Sequence, residues 1–306
     1  MAVDKSTTGG GGDAVITRAP GRLASITRKG WYLGLKRRPL AVISLVVLVV
    51  IILTAVFAPA VAPYDPTETH RGRTLETPSS DFLLGTDHLG RDLLSRIIFG
   101  ARISITIGFL AVFFGTSGGV ALGIASAMQG GKFDILVQRL VDAWMAFPGL
   151  VIALALVSML GPSLINVAIA IAIGTIPSTS RVVRGAVLAE KERDYISAVV
   201  SIGAARLRLA LRHILPNVLP PILILATARL GSAILAESSL SFLGLGVPPP
   251  APTWGGMLSR EGRDFMMTNP MLGLWPGLSI MLTVLAFNLF GDGLRDILDP
   301  KLRGGH

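Results

Sequence analysis

Apolar residues in this chain come in runs too long for the core of a soluble protein, and the polar residues collect between those runs. A helix needs about 20 apolar residues, at about 1.5 Å each, to cross the hydrocarbon core of a bilayer. On that criterion the pattern predicts six spans. The first lies within 39–64 and the second between Arg102 and Lys132. Between Asp142 and Arg181 there is no charge at all, a stretch too long for one crossing, and Gly161, Pro162 and Ser163 break it into a third and a fourth span. The fifth begins near Asn217 and fades at 244–250, while the sixth runs from about Pro270 to Gly291.

One polar stretch interrupts this scheme, GAVLAEKERDYISAVVSIGAARLRLALRHILP at 185–216. From Arg184 to about Ile202, Val187, Leu188, Ile196, Val199 and Val200 alternate with Glu190, Lys191, Glu192, Arg193 and Asp194, which suits an interfacial helix with one apolar side. Gly203 permits a turn into a second short helix carrying Arg206, Arg208 and Arg212, which Leu215 and Pro216 are expected to stop. Two short helices at an angle make a knob. Its apolar side suits either a groove on a soluble partner or the lipid headgroups, and periodicity leaves both open.

Composition agrees with the membrane reading: 51% of residues are hydrophobic and 15% charged, against about 25% charged in soluble domains. With no cysteine, disulfides and thiolate sites are excluded. The net charge of +9 does not point to nucleic acid, because the basic residues flank apolar runs instead of forming one stripe. Counted by segment with the N-terminus inside, 20 Lys and Arg fall on cytoplasmic stretches and seven outside, so both termini and 185–216 are expected in the cytosol. Arg37 and Arg38 then anchor the first span, and Ala58-Pro59-Ala60 is read as part of that span and not as a signal cleavage site. Residues 1–30, with glycines at 9–12, read as a disordered cytoplasmic tail.

Single residues suggest narrower roles. Gly85 and Gly90 bracket a turn in the outer loop, where Asp87 or Asp92 can cap the helix that follows; His88 is expected to cap or hydrogen-bond there, and no metal site is predicted. Gly115, Gly119 and Gly123 recur every fourth residue and let another helix approach closely, either within the subunit or from a second one. Arg229 and Glu237 put charge in the fifth span, where each costs on the order of 2.5–3.5 kcal/mol and must face protein or water. They are candidates to line a translocation path or to pair with each other or another helix. Pro248, Pro249 and Pro250 predict a stiff outer loop, with Trp254 as an interfacial aromatic. Gly131-Lys132 lacks the rest of a phosphate loop, and no metalloprotease or nucleophile-elbow motif occurs, so energy is expected to arrive from a partner or an ion gradient.

The cytosolic stretch resembles the signature of ABC importer permeases, Glu-Ala-Ala, three residues, Gly, nine residues, Ile, one residue, Leu-Pro. Ala198, Gly203, Leu215 and Pro216 match it, while Ser197, Val199 and His213 depart from it, and Tyr195 and Ala204 lie alongside. LLGTDHLGRDLLSRIIFGARIS at 83–104, ESSLSFLGLGVPPPAPTWGGML at 237–258 and PGLSIMLTVLAFNLFGDGLRDILDPKLR at 276–303 are similar to blocks of the C-type permease subunit of the dipeptide, oligopeptide and nickel family. The resemblance covers about 30–303. It implies an all-α type I importer permease in the cytoplasmic membrane, with a first helix and outer loop at 31–95 and a five-helix transporter domain at 96–303. It further implies a second homologous permease, ATP-binding subunits that hold ATP and Mg, an extracytoplasmic binding protein, surrounding lipid and a peptide substrate. In that frame 185–216 is the coupling segment, with Tyr195, Ser197, Ala198, Val199, Gly203, Ala204, Leu215 and Pro216 at the ATPase. This chain itself has no cofactor. Nickel or glutathione is the alternative cargo, and an ion-coupled carrier the alternative machine.

Overall fold

The computed structural model describes residues 39–298, which are helical with no strand among them; the expected tail at 1–30 lies outside the described residues. Helix α1 (Pro39–Val56) buries only Ala41, Ser44, Leu48 and Ala55 and leaves Leu40, Ile43, Val46, Val50 and Leu53 exposed, as a lipid-facing helix should. A short α2 (Ala58–Val61) leads to the loop at 62–92. Helix α3 (Leu93–Gln129) has 37 residues, about 55 Å of helix, and so exceeds the hydrocarbon core by many ångströms. It starts before the expected Arg102 because Asp92 caps it, accepting from the Ser95 amide at 2.8 Å and the Ser95 hydroxyl at 2.6 Å.

The predicted third span is not one helix. Helix α4 (Gly131–Met145) and α5 (Gly149–Leu160) meet at 85°. Pro148 disfavours helical geometry at Phe147, so the chain turns there. Leu136 and Leu140 sit on an exposed apolar face of α4, whereas α5, with 12 residues, reaches about 18 Å and cannot cross alone. Among the described residues five helices are long and apolar enough to span, and six if the bent pair counts as one span.

Helix α6 (Leu164–Lys191) continues ten residues past the expected limit at Arg181, then breaks at 192–193 before α7 (Asp194–Ser201). The single helix expected from Arg184 to Ile202 is therefore two pieces. After Gly203, at φ +79°, a one-turn α8 (Arg206–Arg208) and a π-helical turn (Leu209–Ile214) lead into α9 (Leu215–Phe242). Leu215 and Pro216 do not stop a helix, contrary to expectation; they begin α9. Proline suits a first turn, where its missing N–H is an orphan anyway, and the widened turn before it carries the chain through. The chain ends its described part with α10 (Trp254–Met257), α11 (Arg260–Phe265) and α12 (Met271–Leu298).

The central core joins α1, α3, α5, α6, α9 and α12. Its closest seam is α3 on α6: a side chain begun at Gly115 would meet Thr175 Oγ1 at 2.1 Å, one at Gly119 would meet Thr179 Cβ at 2.3 Å, and one at Gly123 would meet the Ser180 carbonyl oxygen at 2.6 Å. The three glycines thus pack inside the subunit.

Trp254 is a correction. It is 2% exposed and not an interfacial aromatic, with its indole N–H donating to the Ile97 carbonyl at 3.0 Å and its ring against Gly100. The loop after α9 folds back because Gly255 lies on the Ser238 backbone, where a side chain would come within 2.2 Å of an oxygen. In the loop between α2 and α3 Asp87 accepts from Arg91 at 2.6 Å and lies 3.3 Å from Arg96, and His88 stacks on Phe265 at 5.2 Å.

Gly119→Val should lower stability by about 1–3 kcal/mol through overpacking against Thr179. Gly185→Ala, with nothing within 4 Å, should be neutral or slightly stabilising. Thermal unfolding of the purified protein in detergent distinguishes the two.

Candidate functional site

The knob at 192–214 is held from below by apolar packing. Ile196 is 3% exposed and lies in a cluster with Val183, Val187, Leu209, Ile214, Val218 and Ile222, with Val199 and Leu215 at its edge. Opposite that buried side, Ile202 is 84% and Leu207 70% exposed, and Ser197, Ala198, Val200 and Gly203 are exposed with them. Large apolar groups this open, on a polar segment between long apolar runs, are unusual for a surface and suit contact with another body.

Hydrogen bonds tie the knob to both flanking helices. The Tyr195 hydroxyl donates to Glu190 Oε1 at 2.6 Å, at the end of α6, and accepts from Asn217 Nδ2 at 3.0 Å, in the first turn of α9. Asn217 also donates to the His213 carbonyl at 2.6 Å, and Arg193 Nε lies 2.8 Å from Glu190 Oε2. Burial, and then the adjacent Glu190 carboxylate, push the Tyr195 phenol up to about 12, so it stays a donor at any physiological pH. Nearby, Lys191 Nζ donates to the Ala127 carbonyl at 2.8 Å, at the negative end of α3. Asp134 accepts from Arg184 Nε at 2.7 Å and from Ser126.

Glu190, Lys191, Asn217 and Asp134 were not singled out from sequence. The signal for Glu190 was present, an acid five residues before a tyrosine at a helix end, but its burial was not. The geometry also sorts the signature positions: Val199 is half-buried against the knob's own core, Ala204 is half-buried, and Leu215 and Pro216 belong to α9.

Arg229 and Glu237 lie on α9 and do not pair with each other. Arg229 donates to the Thr175 carbonyl at 2.9 Å, to Thr179 Oγ1 at 2.6 Å and to Ser178 Oγ at 2.8 Å, all on α6. Glu237 is 0% exposed and accepts from Ser241 at 2.7 Å, with Ser238 at 3.4 Å and Trp254 and Gly255 packed over the same end of α9. The Glu237 carboxyl is thus closed off from the surface of this subunit.

The family model for the inner membrane component of binding-protein-dependent transport systems matches residues 119–304. The chain belongs to that family. A second model, for the N-terminal transmembrane domain of oligopeptide transport permease C, matches 30–78. The chain is 47% identical over 265 residues to a di/tripeptide transport system permease of Pseudomonas aeruginosa, covering 85% of this chain and 87% of the relative. It is 44% identical over 269 residues to a dipeptide transport system permease of Alkalihalophilus pseudofirmus, with 88% of each covered. A glutathione transport system permease of Escherichia coli is 44% identical over 270 residues, covering 88% and 89%. Among solved structures, the inward-facing methionine ABC transporter MetNI matches with a TM-score of 0.56 at 18% identity, covering 68% of this chain and 98% of that one. That likeness shows the fold, the all-α type I importer permease. A permease of this family is a multi-pass inner-membrane subunit whose partners include ATP-binding subunits and a substrate-binding protein.

Tyr195→Phe removes two hydrogen bonds, to Glu190 and from Asn217, of about 1 kcal/mol each, and should speed amide hydrogen exchange across 194–201 about tenfold, leaving 164–183 unchanged. Exchange followed by mass spectrometry reads it.

Proposed function

We propose that this subunit imports peptides across the cytoplasmic membrane, driven by partner ATPases that grip the knob at 194–214. The relatives named for di- and tripeptide and for glutathione transport, each aligned over more than four-fifths of this chain, support the cargo. The observation that carries the coupling role is the exposed apolar tip, Val200, Ile202 and Leu207, on a knob whose opposite side is buried by Ile196. In the proposed cycle, closure of the ATPases moves the tip, and the Glu190, Tyr195 and Asn217 bonds pass the motion to α6 and α9. ATP and Mg belong to the partner subunits. A second, homologous permease completes the path and a binding protein delivers substrate from outside, with both termini in the cytosol as the Lys and Arg distribution favours.

Reconstitution of the complete complex in lipid vesicles tests the cargo, with dipeptides, longer peptides, glutathione and nickel in competition. Peptide-stimulated ATPase activity and uptake are expected; if peptides neither stimulate nor enter, the cargo is wrong. For coupling, Ile202→Asp places a charge on the docking tip and should cut uptake about tenfold or more while the protein still reaches the membrane. Gly203→Pro should act alike, because proline cannot adopt φ +79°. Val199 is the wrong probe, since its half-buried side chain reports on folding of the knob. Uptake unchanged in both variants would refute the docking assignment.

A further inference from the structure

We infer that Arg229 is a subsite for the substrate's carboxylate inside the membrane, an assignment that rests on the peptide reading above. Its guanidinium stands in a spanning helix and makes no ion pair with any described carboxylate. Its three bonds, to the Thr175 carbonyl, Thr179 and Ser178, go to neutral acceptors, so they position the group and leave its charge uncancelled. A guanidinium has five N–H donors in a planar fork, and two remain for a ligand.

The obvious counter-ion is unavailable. Glu237, eight residues on, is fully buried and accepts from the serine hydroxyls. Arg229, in contrast, is only half-buried. The exposed positions that flank it on its own helix are mixed: Ser232 is exposed and Ser239 half-exposed, beside Leu235 at 51% exposure. A charge in a spanning helix must face water or protein, so the side of α9 that carries Arg229 does so. The other side of the guanidinium is α6, where Ser178 and Thr179 also donate to the Thr175 carbonyl and so hold its three acceptors in one cluster.

A half-buried cation with spare donors, held by two neutral hydroxyls and a carbonyl, suits a carboxylate, which it can bind through two parallel bonds. Every peptide with a free C-terminus carries that group. The positive charge disfavours a peptide's ammonium equally, so the site orients a zwitterionic peptide as well as stabilising it.

The test compares tri-alanine with its C-terminal amide, each as uptake into vesicles holding the complete complex and saturating binding protein. The binding protein is the same for every permease variant, so only the change in the acid-to-amide ratio is read. In Arg229→Gln, uptake of the acid should fall about tenfold while the amide stays within about twofold, the loss expected when a charged hydrogen-bond partner goes. Arg229→Lys, which keeps the charge without the fork, should retain an intermediate preference, and it serves where the glutamine variant does not assemble. Equal loss of both forms in Arg229→Gln, or an unchanged ratio in Arg229→Lys and Arg229→Gln alike, overturns the subsite and leaves Arg229 as a clamp between α6 and α9. A wild-type complex that moves neither form sinks the peptide reading, and the carboxylate subsite with it.

Discussion

Backbone contact between α3 and α6, made possible by Gly115, Gly119 and Gly123, is the constraint on which the rest of the molecule hangs. Lipid supplies no hydrophobic force between helices, so close packing of small residues has to do what burial does in water. The same α6 residues serve both sides of that seam. Thr175 and Thr179 lie against Gly115 and Gly119 with one part of their side chains, while the Thr175 carbonyl and the Thr179 hydroxyl receive Arg229 from α9. Three helices are therefore in register through two threonines, and a bulkier residue at Gly119 would shift the acceptors of Arg229 as well as the seam.

Both ends of this bundle are fixed by α3. Near its N-terminal end Gly100 receives Trp254, whose indole bonds to Ile97, which pins the loop after α9. At its other end the Ala127 carbonyl receives Lys191, and Ser126 joins the Asp134 and Arg184 pair. The knob sits just beyond that cluster, bonded to α6 through Glu190 and to α9 through Asn217. A push on the knob thus reaches two long helices at once, and these are the two that Arg229 bridges further along. Rigid coupling of this kind needs no relay of small displacements, only two helices that move as bodies.

Much of this was legible in the chain. Charge-free runs located every long helix, the four-residue glycine spacing foretold a close approach, and Gly203 stands in the left-handed region its turn requires. What escaped was direction. Hydropathy gives the length of an apolar run and says nothing of a bend inside it, so the 85° turn at 146–148 was invisible until Pro148 and the lateral α4 were seen together. Helix α6 runs on through Arg184 because Asp134, 50 residues away, neutralises it. Trp254 looked interfacial because its loop is proline-rich, yet glycine at 255 lets that loop drop onto Ser238 and drive the ring inward. Val199 and Val200 are adjacent and alike in sequence, and only the fold decides which faces the knob's core.

Placement of charge follows depth. The loop at 62–92 neutralises Asp87 with Arg91 and Arg96, and the stretch at the opposite end pairs Asp134 with Arg184, Asp142 with Arg181 and Glu190 with Arg193. Between these layers Arg229 is met by two hydroxyls and a carbonyl, and Glu237 by serine hydroxyls, in place of an opposite charge. An ion pair there would cancel charge but would also cost both partners their hydration and lock them together. Neutral partners, donors for Glu237 and acceptors for Arg229, cost less than an ion pair. The Glu237 carboxyl is shut inside protein, whereas Arg229 is half-buried, so the two titratable groups of α9 differ in what they can act upon.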